Sequence, residues 1–437
     1  MMALAGAIVT GLFLGPGRAV AQAGPIRAFL GYTLIGFSAA GVVLAVVEMA
    51  VLVPLSGGIV RYAEVFVDPA LSFANGWNLV YKGLIFIPTE IVAAAWITIF
   101  GLLMALTNCL FVRVFGELEF GFALLKIALV FVANIMAVVI IAGGGPNGDA
   151  PGFRYWKDPG TLVQYMGIQG SLGRFLGFFL GFYTTFTNAL YAFSGIEGIS
   201  LAAAETANAR RVIPQAAKRV LWRILIFYSL TMFLVGLVVP SNDDRLPKSK
   251  GTTASLFDIS ASLAGIKVIP HLINAIAVTS TYLAKSRPAP RAFTLLNRFE
   301  IPYVTVILFT LFMALGYLTI SQGASTVFTW LQDLLSIAIL VNWTVILITY
   351  LRLFILILIT SEWQNFVHSH WTTKSFVSSY FNIPFILISY FAFKYYNKTK
   401  IIPLDEIPIR AFLDIAIADP SPPLKPNKGI RKLNFLW

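Results

Sequence analysis

The chain has 437 residues, of which 58% are hydrophobic and only 12% charged, about half the charged share of a soluble globular domain. That composition excludes a water-soluble fold. Lysine and arginine outnumber aspartate and glutamate by 32 to 20, a formal net charge of +12, which in so apolar a chain marks the loops of one membrane face rather than a nucleic-acid surface.

Met1 to Leu14 is apolar and Ala19-Val20-Ala21 imitates a signal-peptide cleavage site, but no basic residue precedes the stretch. A removable leader needs a positive n-region, so this segment is read as the first span. Candidate spans then follow in chain order at 2–22, 28–53, 78–96, 97–114, 120–142, 175–203, 221–240, 264–284, 302–320, 327–350, 352–361 and 376–394. Most exceed the ~18 apolar residues that cross a hydrocarbon core as a helix. The expectation is an all-α polytopic membrane protein with nominally 12 spans.

Basic residues in short connections set the orientation. Arg210, Arg211, Lys218, Arg219 and Arg223 lie between Glu205 and Arg223, and Lys285, Arg287, Arg291 and Arg298 between Lys285 and Ile301. Both segments are read as cytoplasmic loops, an even number of spans apart. Lys394, Lys398 and Lys400 fall on the same side, so both termini are predicted to be cytoplasmic. The Gly- and Pro-rich stretch from Gly143 to Gly173 is read as an exterior loop. Residues 404–437, with Pro420, Pro422, Pro423 and Pro426 among mixed charges, are read as a disordered tail.

A single Cys109 forms no internal disulfide, and His271, His368 and His370 are too scattered for a metal site. No cofactor is expected, and no nucleophile-base spacing suggests an enzyme. Three junctions strain the span plan. Trp96 and Ile97 leave almost no turn between two spans, an apolar helix gives way abruptly to Lys285-Ser286-Arg287-Pro288, and the span after Arg352 is too short to cross.

Two apolar segments five spans apart carry small residues near their middles, Thr10-Gly11 with Gly15-Pro16-Gly17, and Ser194-Gly195 with Glu197-Gly198. Helices interrupted at corresponding positions of two halves point to a transporter, because unwound backbone is tolerated in a membrane only where it lines a cavity. The freed amides can hold a carboxylate. Glycines that merely allow close helix packing are the other explanation. Ionisable side chains within spans are functional candidates by default. Lys126, Glu197, Glu90 and Glu48 are the four picked out, Glu197 just past the second interruption.

The residues also resemble the fungal plasma-membrane amino-acid permeases of the amino acid-polyamine-organocation superfamily. The likeness is carried by Thr10-Gly11-Leu12-Phe13-Leu14-Gly15, Ala21-Gln22-Ala23-Gly24-Pro25, Pro54-Leu55-Ser56-Gly57, Phe66-Val67-Asp68-Pro69-Ala70 and Gly76-Trp77-Asn78. It continues in Phe193-Ser194-Gly195-Ile196-Glu197, Ala204-Glu205-Thr206-Ala207-Asn208 and Lys398-Thr399-Lys400-Ile401-Ile402-Pro403. The resemblance implies a LeuT-type five-plus-five inverted repeat with two added C-terminal helices, in a permease domain over residues 1–403. The first repeat would cover about 1–142, the second about 175–350, and the added helices about 352–394.

It further implies proton-coupled import of amino acids across the plasma membrane. The substrate carboxylate would sit at the backbone of Thr10 and Gly11 and its amino group near carbonyls around Phe193, Ser194 and Gly195, with Tyr191 and Phe193 shaping the pocket. Glu197, just past the second break, would either lie close to the substrate or pin the broken helix by hydrogen bonds. Lys126 would couple protons, with Glu90 tuning the path; the competing expectation for Lys126 is a side chain snorkelling to the interface. Val9 stands where the family has the first glycine of Gly-Thr-Gly, which restricts the backbone there. The family also has residues at the three strained junctions that this chain lacks. The alternatives are an amino-acid receptor without net transport and an inactive truncated permease product. The partners expected are amino acids, protons and the lipid bilayer, not nucleic acid.

Overall fold

The computed structural model describes residues 12, 15–52, 58–94, 115–165, 171–196, 209–248, 256–266, 303–319, 323–348 and 381–399. Among these every regular element is helical. In chain order they are α1 (Gly15–Ala23), α2 (Pro25–Leu52), α3 (Gly58–Phe66), α4 (Pro69–Ala94), α5 (Phe115–Ile141), α6 (Ser171–Ala192), α7 (Ala209–Val238), α8 (Arg245–Lys248), α9 (Leu256–Leu263), α10 (Tyr303–Met313), α11 (Ala324–Leu347) and α12 (Asn382–Asn397). The three strained junctions fall outside the described residues.

Long helices with an apolar outer face are what a membrane demands. On α2, Leu30, Leu34, Phe37 and Leu44 are exposed while Tyr32, Ile35, Ala39, Val42 and Val46 are buried. Those two sets lie on opposite faces of a helix with 3.6 residues per turn, and an exposed leucine stripe of that kind suits a lipid-facing surface. Pro25–Ala50, Ile213–Val238 and Thr326–Leu347 are each long and apolar enough to cross a bilayer. On α12 the outer face is Leu387, Ile388 and Phe391, ending in Tyr395 and Tyr396, as at a headgroup boundary.

Several elements start earlier than their apolar cores. The third span, predicted from residue 78, begins at Pro69. Asp68 accepts a 2.7 Å hydrogen bond from the Ala70 amide, and an Asp N-cap followed by Pro at the first helical position is a strong start signal. The stretch from Ala209 to Arg223, predicted to be loop, belongs to α7, which runs through Pro214. Arginines along its solvent end hid its helical periodicity. The amphipathic helix α3 and the short α8 and α9 lie in segments that no span prediction covered.

Close contacts fix the helices against one another. Gly24, at φ +86°, turns α1 into α2; a Cβ there would lie 2.4 Å from the Thr161 carbonyl oxygen. The corner is tied to that strand of chain by the Val163 amide donating to Ala23 at 3.2 Å and by Arg27 donating to the Val163 carbonyl at 2.9 Å. Gly31 brings α2 onto α6, where a Cβ would fall 1.8 Å from Thr185 Oγ1.

Two ends of the bundle can be told apart. Around the 143–165 connection, Trp156 donates to the Gly236 carbonyl at 2.9 Å and Asn147 to the Leu263 carbonyl at 2.9 Å. The α1–α2 corner and the ends of α5, α7 and α9 therefore share one end. At the other, Asp68 pairs with Lys394 and accepts a 3.2 Å bond from Tyr390. Phe73 stacks on Phe393 at 4.2 Å and Asn382 donates to Asn78 at 2.7 Å, so α12 runs antiparallel to α4. On α11, Asp333 meets Arg18 of α1 and the Ala338 carbonyl meets Asn78 of α4. Helix α11 thus descends from the first end toward the second.

Candidate substrate site at the broken sixth span

Helix α6 stops inside the bundle. The Phe193 amide still donates to the Ala189 carbonyl at 2.9 Å, but the Ser194 amide turns back to Tyr191 at 3.1 Å, and Gly195 adopts φ +89°. Only glycine takes that backbone conformation without strain. The helix end leaves carbonyls without intrahelical partners, and Tyr228 of α7 donates to one of them, Ala192, at 2.9 Å. Its ring stacks on Phe193 with centroids 4.7 Å apart. Gly36 of α2 makes room: a Cβ there would lie 2.9 Å from Phe193 Cζ.

Polar side chains converge beside this break although Tyr191, Phe193 and Ser194 are all buried. From α11, Gln332 donates to Asn188 at 2.8 Å and Ser336 donates to the Thr187 carbonyl at 2.9 Å. Phe328 meets Tyr191 edge-on at 6.0 Å. One residue along from Gln332, Asp333 accepts from Arg18 at 2.9 Å, the carboxylate almost wholly buried and the guanidinium 24% exposed. The hydroxyl of Tyr32, fully buried on α2, has no hydrogen-bond partner among the described residues and lies 3.2 Å from where a Gly15 Cβ would be.

The structure therefore brings Tyr191, Phe193, Ser194 and Gly195 together at an interruption in the predicted span. Thr10, Gly11 and Glu197 lie outside the described residues. Lys126 is on α5 and Glu90 on α4; their side chains are likewise outside the description. Glu48 is exposed near the end of α2, and Trp222 is exposed on α7. Arg18, Gln332, Asp333 and Tyr228 went unremarked in the sequence. Asp333 was open to discovery by the criterion that picked out Lys126, an ionisable residue in an apolar run.

This geometry can present freed backbone carbonyls, with hydroxyl and amide side chains around them, to the cationic group of a small solute.

A family model described as Amino acid permease matches residues 1–354. The dicarboxylic amino acid permease of Saccharomyces cerevisiae is 30% identical over 95% of this chain and 79% of its own. A probable proline-specific permease of Schizosaccharomyces pombe is 33% identical over 90% of this chain and 82% of its own. A general amino-acid permease of Candida albicans is 33% identical over 91% and 77%. The first of these alignments runs over 483 residues, more than the 437 of the chain. That relative therefore carries internal residues without counterparts here, as the strained junctions lead one to expect.

Proposed function

The chain belongs to the amino acid permease family, a multi-pass membrane protein of amino-acid transport, and from that premise we propose that it is a proton-coupled importer at the plasma membrane. The observation that carries the proposal is the buried end of α6 at Phe193-Ser194-Gly195, where peptide groups are released within the bundle and one of them is held by Tyr228. Released amides and carbonyls are complementary to a carboxylate and an ammonium together. The amino group of the substrate is assigned to the carbonyls around Phe193, Ser194 and Gly195, with Tyr191 and Phe193 against its side chain. Its carboxylate is assigned to Thr10 and Gly11, and Glu197 lies next to the second break in sequence.

Lys126 is assigned to proton coupling and Glu90 to its path, because ionisable groups are retained within spans chiefly for ion and proton work. The end of the bundle that holds Arg61, Arg210, Arg211, Lys218, Lys394 and Lys398 is assigned to the cytoplasm by its excess of basic residues, which puts the end of α12 inside.

The test is uptake of labelled amino acids by a permease-deficient cell expressing the chain. Accumulation is expected to rise as external pH falls and to collapse when a protonophore is added. Accumulation indifferent to both would remove proton coupling, and saturable binding without accumulation would make the protein a receptor.

A further inference from the structure

The connection between α5 and α6 lies across helices that the substrate site needs held together. Its later half, from Arg154 to Tyr165, touches four of them. Trp156 donates to the Gly236 carbonyl of α7 at 2.9 Å. Its ring meets Phe233 of α7 edge-on at 5.6 Å, and Phe233 meets Phe29 of α2 edge-on at 5.8 Å, contacts that fix ring orientation as well as burying area. Further along, the Val163 amide donates to the Ala23 carbonyl of α1 at 3.2 Å, and the Val163 carbonyl accepts from Arg27 of α2 at 2.9 Å. The Arg27 guanidinium also lies over the Phe178 ring of α6 at 4.5 Å.

The sixth span is shaped to take this segment. A Cβ at Gly181 would lie 3.1 Å from the Gln22 carbonyl oxygen of α1 and 3.2 Å from Tyr165 Cβ, and one at Gly177 would lie 3.1 Å from the Tyr165 carbonyl oxygen. Bare backbone of α6 therefore seats α1 and the connection side by side. Gly181 is eleven residues ahead of Ala192, about 16 Å along the helix, so this seat fixes how α1 stands against α6 well before the Phe193-Ser194-Gly195 break. The earlier half of the connection is fastened elsewhere. Asn147 donates to the Leu263 carbonyl at the end of α9 at 2.9 Å, and a Cβ at Gly145 would lie 3.2 Å from Ala264 Cβ.

We propose that residues 154–165 form a strap that sets the packing of α1 on α6, with Trp156 as a positioning residue for the substrate site. The assignment rests on the transport function proposed above and adds to it a device outside the pocket. With the substrate divided between the two broken spans, loosening the strap lowers the fraction of molecules in which both stand in register. Apparent affinity falls by that fraction, while the loaded transporter keeps its rate.

The experiment measures uptake kinetics in permease-deficient cells for whichever of the twenty labelled amino acids the wild type accumulates best, normalised to surface protein. Trp156→Ala is expected to raise KM about fivefold or more with the maximal rate within about twofold. Asn147→Ala, which unfastens the other half of the same connection, is expected to leave both within about twofold. Equal effects of the two variants, or a fall in maximal rate alone in Trp156→Ala, would overturn the strap. Should Trp156→Ala fail to reach the surface, Trp156→Phe decides, since it removes the indole donor and keeps an aromatic ring: a KM raised about twofold or more supports the strap and an unchanged KM overturns it. If the wild type carries no amino acid, the transport function fails separately. The strap is then decided by hydrogen exchange on purified protein. Faster exchange in Trp156→Ala at the Val163 amide and at residues 23–28 supports it, and a change confined to residues 153–158, or none, overturns it.

Discussion

The Tyr228 hydroxyl makes the break in α6 tolerable, since it satisfies the Ala192 carbonyl inside an apolar bundle. Tyr228→Phe keeps the ring stacked on Phe193 and removes only that donor, so its cost is that of one stranded carbonyl, about 1–3 kcal/mol. A lower thermal midpoint in detergent is expected, and an unchanged midpoint would show that the carbonyl finds another donor. Between α7 and α8, Arg245 holds the Asp243 carboxyl below the usual carboxylate range through side-chain hydrogen bonds, burial opposing it. A carboxylate whose folded pKa is depressed stabilises above its unfolded value and loses that stabilisation as pH falls through the folded one. With Arg245 41% exposed, the pair is worth at most about 1 kcal/mol. Asp243→Asn is therefore expected to lower the thermal midpoint slightly at neutral pH and to match the wild type once the pH is below the carboxylate range. At this scale the sequence was legible where backbone chemistry is local: Ser194-Gly195 announces a break because glycine alone adopts its φ. It was not legible where the partner is distant, as with Tyr228 to Ala192 or Arg18 to Asp333, which meet only after α7 and α11 are placed.

Among the elements, α4 and α12 form a unit held at three levels, Asp68 with Lys394, Phe73 on Phe393, and Asn78 with Asn382. Asp68 acts twice, as N-cap of α4 and as anion for Lys394. Asp68→Ala is expected to lose about 1 kcal/mol for the cap alone, and the ion pair with it. Faster hydrogen exchange is expected at the amides of residues 69–72 and in the last turns of α12. If exchange rises only in α4, Lys394 has found another anion. Hydropathy placed the cores of α2, α5, α10 and α11 within a few residues, because lipid demands a long apolar run. It misplaced the starts of α4 and α7, whose polar first turns lie at the bundle's end and are helical through capping and packing rather than apolarity. Asp68-Pro69 was the overlooked signal.

For the whole molecule, the two ends of the bundle make a topological claim. In a Cys109→Ser background, a cysteine at Asp149 is expected to react with a membrane-impermeant maleimide on intact cells, and one at Tyr396 only after permeabilisation. Labelling of both from outside would put the end of α12 at the exterior and remove the cytoplasmic assignment. The all-helical membrane fold was readable from composition and periodicity, since a low-dielectric solvent admits few alternatives. The pairing of α12 with α4 was not, because apolar helices of similar length carry no address for one another until an aspartate, an asparagine or a ring pair supplies it.

Gly31 against Thr185 has a mechanical corollary. With a hydroxyl filling the space a methyl would need, α2 and the first half of the sixth span interlock like a tongue in a slot and cannot slide past each other. Any side chain at position 31 would wedge the two helices apart, so the close seat of α2 on α6 at that level depends on the missing methyl.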